Sequence, residues 1–63
     1  MKTKIREFRE ALGMSQEEFS EKSGVARTVI SQLENGSRDV VKSDTMLKIS
    51  KAFGRPIEEI FLL

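Results

Sequence analysis

No cysteine and no histidine occur among the 63 residues, so neither a disulfide nor a Cys/His zinc site can staple so short a chain. Tryptophan and tyrosine are absent as well, and four phenylalanines supply all the aromatic material. That argues against a stacking platform for single-stranded nucleic acid. No apolar run approaches membrane-spanning length, and the basic start Lys2, Thr3, Lys4, Ile5, Arg6 lacks the apolar stretch that a secretory signal peptide carries behind it. A cytoplasmic protein is expected. An excess of either charge is also missing: 11 Lys and Arg stand against 10 Asp and Glu, a net of +1. Bulk electrostatics therefore do not announce a nucleic-acid binder, and such a reading must rest on where the charges sit. With no His, no Cys and no phosphate-cradling glycine loop, enzyme chemistry has no obvious groups to use. Catalytic, cofactor and metal residues are not expected.

What remains is a globular composition, 33% charged and 38% hydrophobic, read as one domain over residues 1–63. A chain of this size buries only about 60% of the surface its unfolded form exposes, so it needs efficient helix packing, a partner subunit, or both. Glycines at 13, 24, 36 and 54 each follow an apolar pattern of helical period, and glycine commonly closes helices. Four stops imply five helices and an all-α fold. The first runs roughly from Thr3 to Leu12 with Ile5, Phe8 and Leu12 on one face, the second from Gln16 to Ser23 around Phe19, and the third from Arg27 to Asn35 with Ile30 and Leu33 inward. The fourth, Asp44 to Phe53, carries the cleanest stripe, Met46, Ile49, Ser50 and Phe53. The fifth follows Pro56 and ends at Ile60 or Phe61, with Glu58 and Glu59 where a helix start favours negative charge. Val40-Val41 is too short to argue for a sheet.

The second helix has the best-written start: Ser15 with Glu18 forms a capping box, and Met14 with Phe19 fits a hydrophobic staple. The third opens on Ala26, which cannot cap and costs about 1 kcal/mol relative to Ser or Thr. From Gln16 to Leu33 the order is helix, tight turn at Gly24-Val25, then helix, with small Ser20 where the two approach. Pattern alone also fits an ordinary helical hairpin. The flanks weigh against that, because FREALGMSQEEFSEKSGVARTVISQLENGSR followed by TMLKISKAFGRPIEEIF resembles the lambda-repressor and Cro-type helix-turn-helix domains over nearly the whole chain. The resemblance implies a compact five-helix domain that binds operator DNA as a dimer and regulates transcription in bacteria or phages. Ser20 and Ser23 stand where that family prefers Ala, and Ala26 where it prefers Ser or Thr, departures expected to loosen packing or capping.

Carried onto this chain, the resemblance makes Gln16 a phosphate contact at the start of the second helix. It places Arg27, Thr28, Ser31 and Gln32 at base edges of the major groove. Their chemistry suits base recognition, with Arg for guanine, Gln for adenine, and Thr for a thymine methyl or an acceptor. Asn35, Ser37, Arg38 and Lys42 are the further phosphate contacts it implies, with Asp39 between them opposing. Lys2, Lys4 and Arg6 reach a flanking phosphate or merely aid solubility. Arg9 and Glu34 match positions that pair between the first and third helices. One short helix cannot turn Ile60, Phe61, Leu62 and Leu63 all inward, and Leu47 lies off its helix's stripe. Leu47, Phe61, Leu62 and Leu63 are therefore expected at a homodimer contact. The partners expected are an inverted-repeat operator in double-stranded DNA and a second copy, with no membrane and no small-molecule effector. Two alternatives remain on the sequence alone: an antitoxin that represses its own operon, and a protein-interaction module on the same fold.

Overall fold

A computed structural model describes residues 1–62. Five helices, α1 (Ile5–Ala11), α2 (Gln16–Ser23), α3 (Arg27–Glu34), α4 (Ser43–Phe53) and α5 (Ile57–Ile60), lie between two short strands, β1 (Lys2–Thr3) and β2 (Phe61–Leu62). The strands pair antiparallel with Lys2 opposite Leu62 and Thr3 opposite Phe61. The Lys4 amide extends the ladder by donating to the Ile60 carbonyl at 2.8 Å. The sequence pattern does not predict this clasp. It takes Thr3 out of the first helix, and the Thr3 hydroxyl instead donates to the last-turn carbonyl of Leu33 on α3 at 3.2 Å.

The core is drawn from every helix. Ile5, Phe19, Ile30, Leu33, Ile49 and Ile60 are fully buried, and Val25 and Phe61 nearly so. Phe53 of α4 ties them together, stacking on Phe19 at 4.3 Å between centroids and meeting Phe8 tilted at 5.6 Å, geometries that favour aromatic pairs beyond their area alone. The Arg55 guanidinium lies 5.6 Å over the Phe8 ring. Met46, Ile49 and Phe53 turn inward, Ser50 donates its hydroxyl to the Arg55 carbonyl at the helix end, and Leu47 is half exposed.

Two apolar residues sit elsewhere than expected. Leu12, expected on the first helix's core face, is 52% exposed because α1 ends at Ala11 and Leu12 belongs to its cap. Phe61, expected at a dimer contact, is 1% exposed and part of the core. The helix stops at Ile60 and Phe61 is extended, with φ −103° and ψ 109°, and on that course its side chain enters the core beside Ile60. Leu62 is exposed at 37%, and Leu63 lies outside the described residues.

Ala26 is an uncapped start in the structure as in the sequence, since no side chain bonds the free N–H groups of α3. Its backbone, φ −56° and ψ 137°, suits a capping residue. Ala26→Ser is expected to raise stability by about 1 kcal/mol, or roughly 4–8 °C in melting temperature for a domain this small. An unchanged melting curve would contradict that.

Candidate nucleic-acid interface

Helices α2 and α3 are joined by three residues, and specific bonds hold the pair together. At the start of α2, the Ser15 hydroxyl accepts from the Glu18 amide at 3.1 Å and the Glu18 carboxylate accepts from the Ser15 amide at 2.8 Å. The ring of bonds holds the Glu18 carboxyl below its usual range, the Ser15 backbone donor being the main cause. In the turn, Gly24 takes φ +77°, a left-handed conformation that side chains disfavour, although a Cβ there would meet nothing within 4 Å. Conformation rather than space requires glycine. Ser20 and Ser23 tighten the turn instead of loosening it. The Ser20 hydroxyl donates to the Val25 carbonyl at 2.6 Å, while Ser23 donates to the Phe19 carbonyl at 2.8 Å and accepts from the Val25 amide at 3.2 Å. An alanine side chain could make none of these bonds, and the Val25 carbonyl and amide would lose their hydroxyl partners.

With Ile30 and Leu33 buried, α3 presents its other side to solvent. Arg27 and Thr28 are exposed, Ser31 and Gln32 half-buried, and these four with Gln16 line one open cleft of about 260 Å³. The first turn of α3 contains no acidic residue and begins with Arg27. A cation at an uncapped helix N-terminus works against stability. Such a local conflict is expected where a surface serves binding rather than folding.

The angle of α3 is set by Glu34, whose side chain is wholly covered. Arg9 of α1 grips it with two bonds, Nε to Oε2 at 2.8 Å and Nη2 to Oε1 at 3.0 Å, and its Nη1 donates to the Met14 carbonyl at 2.8 Å. One guanidinium thus links α1, the start of α2 and the end of α3. Arg6 and Gln16 also donate to Oε1, at 3.3 and 3.2 Å. Burial pushes the Glu34 carboxyl upward, but the bonds from Arg9 and Gln16, the Arg9 charge and the Arg6 bond outweigh it, and the net shift is downward. The bond to Glu34 is likewise the main cause raising Arg9. The sequence points to Arg9 and Glu34 but not to Arg6 or Gln16. Arg6 carries a usable signal, since it lies three residues before Arg9 on one helix face. Gln16, expected only at phosphate, turns its amide nitrogen inward to Glu34.

Beyond α3, the Asn35 side-chain oxygen accepts from the Ser37 amide at 2.9 Å, and the same amide donates to the Gln32 carbonyl at 3.1 Å. Asn35 is exposed and Ser37 flanks it, both at the end of α3 opposite Arg27, and Lys42 precedes α4. Arg38 is drawn back to the cleft: its Nε donates to Gln32 Oε1 at 3.1 Å and its Nη1 to the Val40 carbonyl at 3.2 Å.

A family model described as helix-turn-helix matches residues 5–60. The chain belongs to the lambda-repressor and Cro-type helix-turn-helix family. It is 42% identical over 64 residues to an uncharacterized HTH-type transcriptional regulator of Bacillus subtilis, YgzD, covering 100% of this chain and 94% of that one. Uncharacterized HTH-type transcriptional regulators from two archaea are similar as well. The protein from Methanothermobacter thermautotrophicus is 44% identical over 66 residues, covering 100% of this chain and 91% of that one. The one from Archaeoglobus fulgidus is 42% identical over 62 residues, covering 98% and 87%. Family membership accounts for α2 and α3 as a DNA-binding pair, and no helix among the described residues is long and apolar enough to cross a membrane.

Proposed function

We propose that the protein is a sequence-specific duplex-DNA binder that represses transcription, with α3 in the major groove. Arg27, Thr28, Ser31 and Gln32 read base edges there. The observation that carries this is the single open cleft those four side chains share with Gln16 at the uncapped, Arg-bearing start of α3. Lys42, beyond α3, is assigned to phosphate together with Asn35 and Ser37, which precede it on the same stretch. The two kinds of contact fail differently. Arg27→Ala is expected to cost about 1–3 kcal/mol on the preferred duplex and to relax choice at one base pair. Lys42→Ala is expected to weaken all duplexes alike and to lower the salt slope by roughly 1. Titrations against preferred and random duplexes at several salt concentrations separate them. Equal losses on both duplexes for Arg27→Ala would remove base readout from that residue.

The working form is a symmetric homodimer on an inverted repeat. The molecule measures 25 × 22 × 19 Å, whereas successive major-groove half-sites lie about 34–36 Å apart, so one copy covers one half-site. Leu47 at 50% and Leu62 at 37% exposure are the apolar side chains assigned to the contact. Replacing both by polar residues is expected to make operator binding steeply dependent on protein concentration while the fold persists. Tight binding of a monomer to a single half-site, with light scattering finding no dimer at high micromolar concentration, would overturn it.

A further inference from the structure

The bond between Arg38 and Gln32 gives the loop after α3 a part in what the helix reads. A guanidinium has donors only, so the side of the Gln32 amide facing Arg38 must be its oxygen. The amide is planar and its nitrogen lies on the other arm. Among the described residues no protein acceptor takes the Nε2 hydrogens, and Gln32 lines the open cleft. Arg38 is itself anchored, because its Nη1 donates to the Val40 carbonyl. The chain returns to this point because Gly36, just beyond α3, takes φ +78° and the Ser37 amide donates back to the Gln32 carbonyl. A free glutamine can present oxygen and nitrogen together to adenine, accepting from N6 and donating to N7. With a charged donor already on Oε1, the oxygen is a weaker acceptor and the N–H groups are more strongly polarised donors.

We infer that Arg38 is a positioning residue, not a phosphate anchor: it fixes the Gln32 amide as a donor toward the groove and tunes it to guanine, whose O6 and N7 both accept, over adenine. This rests on α3 being the base-reading helix. It assigns the loop residue a share in specificity without any contact to DNA.

In-vitro selection of bound duplexes tests it with the full chain. Gln32→Ala first identifies the base pair that Gln32 faces. Wild-type protein is expected to select guanine at that pair. Arg38→Ala is expected to bind the guanine duplex about tenfold more weakly and to move the preference toward adenine, leaving every other position unchanged. Gln32→Glu, which keeps an acceptor for Arg38 but has no N–H, is expected to lose the guanine preference as well. In a Gln32→Ala background, Arg38→Ala is expected to have no further effect at that pair. Thermal melts of the variants check that the fold is intact. Selection of adenine by wild type at the Gln32 pair would overturn the inference. So would an Arg38→Ala variant that keeps the selected sequence while weakening all duplexes alike with a salt slope lower by roughly 1, the signature of a phosphate contact. Absence of any sequence preference in wild type would reject base readout by α3 itself, and that outcome is distinguishable from the other two.

Discussion

Phe19→Ala is expected to abolish cooperative folding or leave it marginal. The ring is fully buried and stacked on Phe53 at 4.3 Å, so its removal takes away transfer free energy and leaves a cavity that the rigid neighbours fill only partly. Such truncations cost about 3–5 kcal/mol. At roughly 0.05–0.15 kcal/mol per residue, a chain of this length has about 3–9 kcal/mol in total. The loss therefore removes much or all of the stability, and because Phe19 lies on α2 it also frees the recognition pair from the body. Thermal unfolding followed by circular dichroism is the measurement. A cooperative transition within a few degrees of wild type would show that the Phe19–Phe53 stack is not a main support.

Arg9→Ala is expected to cost about 3 kcal/mol, because it strips the covered Glu34 carboxylate of its two shortest bonds and the Met14 carbonyl of its side-chain donor. Arg6 and Gln16 remain on Oε1 at 3.3 and 3.2 Å, which keeps the loss toward the lower end for a broken buried pair. Replacing Arg9 and Glu34 together by apolar residues of similar size is expected to recover part of the loss, since no charge is then left uncompensated. Strict additivity would mean that the two side chains act independently. Acid exposes the same pair. Glu34 titrates below its ordinary 4.5 when folded, so between those two values the unfolded chain holds more proton than the folded one. Stability rises with pH across that window. The contribution is complete above the ordinary value and is lost as pH falls through the folded one. Melting temperatures from neutral pH down to about pH 3 are expected to drop less steeply in Glu34→Gln than in wild type.

Much of the fold is legible from short-range chemistry. Ser15 and Glu18 specify the start of α2 to the residue, Gly24 its end, and the Met46, Ile49, Phe53 stripe the inner face of α4, because capping and amphipathic period act within one or two turns. Features that depend on distant partners are not. The clasp of Lys2 and Thr3 with Phe61 and Leu62 joins segments nearly a chain length apart, and two-residue strands carry no readable alternation. For the same reason the sequence pattern turns Phe61 outward: its inward course follows from the switch to extended backbone after Ile60, which pairing with β1 holds. Ser20 and Ser23 look like poor substitutes for alanine in sequence because a hydroxyl's worth depends on which backbone groups lie beside it, here those of Phe19 and Val25. In the site, residue type points to the polar face of α3. It cannot show that Gln16 leans on Glu34 or that Arg38 holds Gln32, since both bonds span loops whose paths are set by packing.

Direct readout by α3 is tested most directly by amide chemical-shift changes in isotope-labelled protein titrated with a selected duplex, beside a random duplex of equal length at the same salt. The specific duplex is expected to perturb Arg27, Thr28, Ser31 and Gln32 most strongly. With the random duplex those changes fade while the one at Lys42 persists. Perturbations of α3 that are the same for both duplexes, or that centre on another face with α3 silent, would contradict it.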